Sequence, residues 1–135
     1  MNQPHGNYNV NVKDNIIHIR FSGSFNENCT NDLFQEIKSV IKYFKEKGIL
    51  ILSDLSTFQG ATPDAYYISE KYNQWLNTKN LIAKAIVFHS TVVQDINLSR
   101  VQSLKEQNIK YFDNESNALA WLNSYKTSNL LQTNT

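Results

Sequence analysis

Ile49-Leu50-Ile51-Leu52-Ser53-Asp54-Leu55 is an apolar run broken only near its end. No alternation divides it into a wet and a dry face, so it predicts a central strand covered on both sides, as in a parallel sheet. A parallel neighbour needs a crossover, usually a helix, and the flanks supply them. Before the run, residues 28–47 place Leu33, Ile37, Val40, Ile41 and Phe44 at helical spacing. Thr30, Asn31 and Asp32 offer caps at the start of that helix, and Lys45, Lys47 and Gly48 mark its end. After the run, residues 56–62 read as a loop. Thr62-Pro63-Asp64 then opens a second helix: a cap, a proline in the first turn, then an acid. Ala65, Ile68, Tyr72, Trp75 and Leu76 form its apolar stripe, which ends near Thr78.

Further out, the same alternation of elements continues. Residues 81–89 predict another covered strand. Thr91 with Gln94 fits a capping box, and Val93, Ile96, Val101 and Leu104 extend a third helix to about Gln107. Ile109–Phe112 is a short strand. Asp113 or Asn114 caps a last helix whose inner face carries Ala118, Trp121, Leu122 and Tyr125. Toward the N-terminus, Tyr8, Val10 and Val12 alternate with asparagines, the period of a half-buried strand. Asp14-Asn15 is a two-residue hairpin turn. Residues 16–21 form the return strand, which Ser22-Gly23-Ser24 breaks. The order β-β-α-β-α-β-α-β-α predicts an α/β fold with a mixed five-stranded sheet, mostly parallel with one antiparallel edge strand. One domain spans 7–126, with 1–6 and 127–135 as flexible termini.

This order, the run from Ile49 to Leu55, and the ending Tyr111-Phe112-Asp113 through Ala118-Leu119-Ala120-Trp121-Leu122 resemble the STAS superfamily. They resemble most closely its SpoIIAA-like branch, sometimes grouped with SEC14-type lipid-binding domains. The resemblance covers roughly residues 7–125. It implies a STAS-like fold and a role in binding proteins, lipids or other small apolar ligands. In the anti-sigma-factor antagonists of the superfamily, the matching strand leads to an Asp-Ser-Ser-Gly motif whose serine is phosphorylated. Here the segment is Thr57-Phe58-Gln59-Gly60-Ala61-Thr62-Pro63, without that motif. Thr62 is the hydroxyl nearest the matching place and the candidate phosphosite.

Composition narrows the function classes. The hydrophobic fraction is 41% and the charged fraction 19%, enough apolar residues to fold without a partner. Thirteen basic residues against twelve acidic ones give no electrostatic reason to expect nucleic acid. Lys42, Lys45 and Lys47 read as the wet face of the first helix. No run reaches the ~20 apolar residues of a membrane span. A single cysteine forms no intrachain disulfide, and the polar start lacks a signal peptide's apolar core, so cytoplasm is the expected location.

Chemistry-bearing residues are sparse. Cys29 lies near a helix start, where a thiol pKa falls, but nucleophilic use needs a base beside it; it reads as inert. His5, His18 and His89 show no metal-ligand spacing. Asp54 reads as a loop anchor. Enzymatic use of Asp54, Thr62 or His89 requires at least two of them in one cleft. No cofactor is expected, and the chain reads as a non-enzymatic binding module. Its working surface is the turn after the third strand and the start of the helix beyond: Phe58, Gln59, Gly60, Thr62, Tyr66 and Tyr67. The helix start favours an anion, and an exposed aromatic anchors a partner. The partner is a protein or a second copy, as a homodimer. The alternative is a carrier of a small apolar or lipid-like ligand, held between sheet and helices by Phe58, Ile68, Tyr72, Trp75 and Phe88.

Overall fold

The computed structural model describes residues 6–44 and 47–133. His5, Lys45 and the rest of the first five residues lie outside this set, as do the side chains from residue 127 onward. The elements are β1 (Asn7–Lys13), β2 (Ile16–Phe25), α1 (Glu27–Phe44), β3 (Ile49–Ala61), α2 (Pro63–Leu76), β4 (Leu81–Val87), α3 (Thr91–Arg100), a short 3₁₀ helix (Gln102–Glu106), β5 (Ile109–Phe112) and α4 (Glu115–Thr133). The sheet order is β1-β2-β3-β4-β5, with β1 antiparallel to β2 and every other pair parallel. The predicted mixed sheet with one antiparallel edge is therefore present.

Local chemistry explains the elements. Asp14 and Asn15 both have positive φ, 55° and 64°. That is the backbone a two-residue hairpin needs to match the twist of its strands, and Asp and Asn tolerate it best after glycine. Asn26 caps α1, its Oδ1 accepting from the Cys29 N–H at 2.9 Å. Parallel crossovers are right-handed, and here each moves the sheet on by one strand. The connecting helices therefore fall on one face, and α4 is left to cover the other. On the first face Ile17, Ile19, Ile49 and Ile51 pack with Leu33, Ile37, Ile41, Tyr72 and Leu76. On the second, Leu50, Leu52, Ala83, Ala85 and Val87 pack with Ala118 and Leu122 of α4. The continuous apolar run of β3 is the consequence, since its odd and even residues face different cores.

Several boundaries differ from the sequence reading, each for a local reason. β2 is not broken at Ser22-Gly23-Ser24 but continues to Phe25, and β3 does not give way to a loop at Ser56 but continues to Ala61. The two extensions pair with each other, Ser22 opposite Thr57 and Phe25 opposite Ala61. Register shifts between Arg20 and Ser22 and between Gly23 and Ser24 absorb the irregularity, with Gly23 at φ 76°. A bond of 2.7 Å between the Ser22 and Thr57 hydroxyls ties the wet side. The rings of Phe21, Phe25 and Phe58 cluster at 5.5–6.1 Å on the dry side. β4 ends at Val87 rather than His89, opposite Asp54 of β3. Beyond that point β3 has only β2 as a strand neighbour among the described residues. α1 starts at Glu27 rather than among its expected caps. α3 stops at Arg100, and the buried Val101 and Leu104 sit at the 3₁₀ turn instead. Its cap is Ser90, whose Oγ accepts from the Val93 N–H at 3.4 Å, not Thr91.

Candidate functional site

Thr62 joins the end of β3 to α2. Its backbone is extended, φ −72° and ψ 161°, and its Oγ1 accepts from the Ala65 N–H at 3.1 Å. Pro63 follows at the first helical position, where its missing N–H costs nothing. The Thr62 N–H donates to the Phe25 carbonyl at 3.0 Å, fastening the helix start to the end of β2. Gly60, one residue before Ala61, has φ 112°, a conformation reserved for glycine. An added Cβ there meets nothing within 4 Å, so the space is open and only the backbone objects. Gly60→Ala is therefore expected to cost about 1–2 kcal/mol through strain alone. Urea unfolding of the variant checks this; an unchanged midpoint would show that β3 relaxes freely here.

These residues line one open groove. Its walls are Ser24 and Phe25 from β2, Gln59, Gly60 and Ala61 from β3, Thr62, Pro63 and Tyr66 at the start of α2, and Ile96, Ser99 and Arg100 from α3. The Arg100 guanidinium lies 6.0 Å from the Tyr66 ring centroid. Partial burial raises the Tyr66 phenol above its usual value, with Arg100 and a hydrogen bond to the Ala61 backbone pulling it partly back. Of the six residues singled out by sequence, Gln59, Gly60, Thr62 and Tyr66 thus converge. Phe58 does not: it turns into the aromatic cluster and the protein interior. Tyr67 stands outside the groove on α2, 63% exposed, with Lys71 Nζ 5.3 Å from its ring centroid.

The third wall was missed. The spacing of Val93 and Ile96 predicts an apolar face for α3, yet none of its residues is buried, and Val92 (63%) and Ile96 (40%) are exposed. The available signal was its poor stripe: Val92, Val93 and Ile96 do not share a face with enough apolar neighbours to cover a sheet.

Behind the groove lies a cavity of about 90 Å³ between the sheet and α1–α3. Phe25, Ala61 and Tyr66 are walls of both, so Tyr66 is part of the partition between them. Its lining is mostly apolar, with Ser53, Ser69, Asn73 and Lys84 among the polar residues. Phe58 and Tyr72 line it as expected. Ile68 and Trp75 instead pack at the edge of the same core, and Phe88 meets Tyr111 edge-on at 5.5 Å.

Lys84 is 5% exposed, in the middle of β4. Its Nζ donates to Asn73 Oδ1 at 3.0 Å. That oxygen also accepts from Gln107 Nε2 at 2.9 Å, and Gln107 Nε2 reaches Asn77 Oδ1 at 3.0 Å. Burial without a facing carboxylate pushes the Lys84 amine down to about 7. It is not among the sequence candidates, although a lysine inside Leu-Ile-Ala-Lys-Ala-Ile-Val, a strand covered on both faces, is the signal for such a site.

The other candidates lie apart. Asp54 Oδ2 pairs with Arg20 Nε at 3.3 Å, and its Oδ1 accepts from the Ser56 N–H and hydroxyl, the loop-anchoring geometry expected of it although on a strand. With His18 and Glu115 it borders a shallow polar hollow on the second face, beside α4. His89 is exposed past the end of β4, so Asp54, Thr62 and His89 share no hydrogen bond among the described residues. Cys29 Sγ donates to the Gly6 carbonyl at 3.0 Å. Burial, with the Asp32 charge second, raises its thiol pKa, contrary to the lowering that its helix-start position suggested.

The SpoIIAA-like family model matches residues 16–123. No curated protein matches the chain. Among solved structures, an uncharacterized DUF3478-family protein with a SpoIIAA-like fold from Shewanella loihica PV-4 superposes with a TM-score of 0.68 at 15% identity, covering 90% of this chain and 97% of that one. An anti-sigma factor antagonist from Mycobacterium paratuberculosis superposes with a TM-score of 0.63 at 14% identity, covering 87% and 94%. At these identities the two structures speak to the fold. Among the described residues no helix is long and apolar enough to cross a membrane.

Proposed function

Since the chain belongs to the SpoIIAA-like family, we propose that it is a non-enzymatic protein-interaction module whose docking surface is the groove between the β3–α2 junction and α3. The observation that carries this reading is α3 itself: a helix with apolar side chains and not one of them buried, set beside an aromatic anchor. Such a surface gains free energy when another protein covers it. The role in the mycobacterial neighbour's name, antagonism of an anti-sigma factor, is also exercised against a protein. On this reading Thr62, exposed at the groove's rim, is where a phosphate would alter docking.

The occupant is a partner protein or a second copy of the chain. Sedimentation equilibrium of wild type, Tyr66→Ala and Arg100→Ala tests the second copy. Truncating a central aromatic anchor is expected to weaken self-association about tenfold or more. Assembly indifferent to both changes would count against the groove as the contact.

The interior cavity favours a second reading, a carrier of a small ligand. About 90 Å³ holds far less than an acyl chain, given that a benzene-binding cavity measures about 150 Å³. This reading therefore narrows from a lipid-like ligand to a molecule of a few heavy atoms.

A further inference from the structure

We infer that the interior cavity is a site for a short-chain monocarboxylate, with its carboxylate on Lys84 Nζ and its alkyl end among the apolar walls. The inference rests on the carrier reading just given and is independent of the docking groove.

The amine is the starting point. A lysine head group has three hydrogens to donate, and among the described residues only one of those on Lys84 has an acceptor, Asn73 Oδ1. That acceptor is neutral and already shared with Gln107. Protein carboxylates do not answer the amine. Glu70, the acid of α2 closest to this network, spends its oxygens on the Ser103 N–H and hydroxyl and on Gln74 Nε2. Asp54 is committed to Arg20 and Ser56. The remaining ionisable groups on the cavity wall, Tyr66 and Tyr72, are both held protonated by burial. Among the described residues, a cation site thus lies on the cavity wall with no anion hydrogen-bonded to it. Burying a charge without a partner is costly, so such an amine deprotonates or acquires a counter-ion.

Shape and polarity select among anions. The apolar walls include Ile19, Phe34, Ile51, Ile86 and Leu104, with Ile51 directly opposite Lys84 on β3. A phosphate or sulfate would lose its hydration there with a single cationic donor in return. A carboxylate carries one charge and offers an apolar end to those side chains. Scaling from a benzene-sized cavity of about 150 Å³, about 90 Å³ accommodates about four heavy atoms, carboxylate oxygens included, which is the size of acetate. Tyr66, which the cavity shares with the open groove, stands between the two.

Isothermal titration at neutral pH with sodium acetate and with ethanol tests this on wild type and Lys84→Met. Both ligands are expected to bind wild type, acetate more tightly, and Lys84→Met is expected to lose about tenfold or more for acetate while keeping ethanol. Ethanol binding with no preference for acetate, or a preference that survives in Lys84→Met, overturns the role of Lys84 and leaves the carrier reading standing. Binding of neither overturns both. If Lys84→Met fails to fold by circular dichroism, the Lys84 Nζ resonance of wild type decides: acetate, but not ethanol, is expected to move it toward the charged form, and an unmoved resonance overturns the assignment.

Discussion

Between about pH 7 and about pH 9 the folded protein is expected to gain about 2 kcal/mol of stability, and the Lys84→Met variant to gain almost none of it. The cause is the depressed Lys84 amine, about 7 when folded against 10.5 for an ordinary lysine. Below its folded pKa both states are protonated, and the folded state carries a buried charge. Between the two pKa values the unfolded chain binds a proton that the folded chain has released, so unfolding becomes harder with each rise in pH. Other groups act in the opposite sense, but later. Cys29, Tyr8, Tyr66 and Tyr111 all have raised pKa values on burial, and each withdraws stability only once its unfolded counterpart ionises, at about pH 9 and above. Glu70 does not interfere. Burial raises its pKa, but hydrogen bonds from Ser103 and Gln74 more than reverse this, so the net shift is downward and its effect falls in the acid range. Urea midpoints of both proteins across this window measure the difference. Methionine leaves Asn73 Oδ1 its bond from Gln107, so no acceptor is orphaned, and the variant is expected to be the more stable protein at pH 7. A flat wild-type profile would mean that water reaches the amine.

Phe34→Ala is expected to cost about 3–5 kcal/mol, a large share of a typical domain's total stability of about 5–15 kcal/mol. The Phe34 ring lies parallel to that of Tyr72, centroids 4.0 Å apart and planes within 2°. Both rings are buried, and the pair joins α1 to α2 across the first core. Because Phe34 also lines the Lys84 cavity, its removal joins ring-sized space to a void already there. Collapse is hindered by the sheet beneath, so the lost contacts are not recovered. A second consequence follows and is separately measurable. Benzene is expected to raise the melting temperature of Phe34→Ala and leave that of wild type unchanged. A cost below about 2 kcal/mol with no benzene effect would show that α1 and α2 close over the gap.

The long-range pattern was legible in the sequence because it is written in periodicity. The unbroken run from Ile49 to Leu52 places β3 between two cores, and the stripe Leu33, Ile37, Ile41 faces one of them. The Asp14-Asn15 turn and the Thr62 cap were readable from backbone and side-chain chemistry alone. What escaped depends on neighbours distant in the chain. Ser22, Gly23, Ser56 and Gly60 have turn composition, and only pairing between the two segments makes them strand. Likewise the site was half visible. Thr62 and Tyr66 sit on the element that announces itself, but Ile96 and Arg100 reach the groove only through tertiary placement of α3. Lys84 was present as a lysine in an apolar strand, yet its cavity is built by side chains from several separate elements.

The spatial order of the strands repeats their order in the chain. A nascent polypeptide leaving the ribosome can therefore lay each strand beside the one synthesised just before it. No strand must wait for a distant segment or be inserted between two already paired, which keeps loop-closure costs low and traps few. Growth stops on β5, only four residues long, so the finished molecule presents little template on that side for a neighbouring chain to pair with.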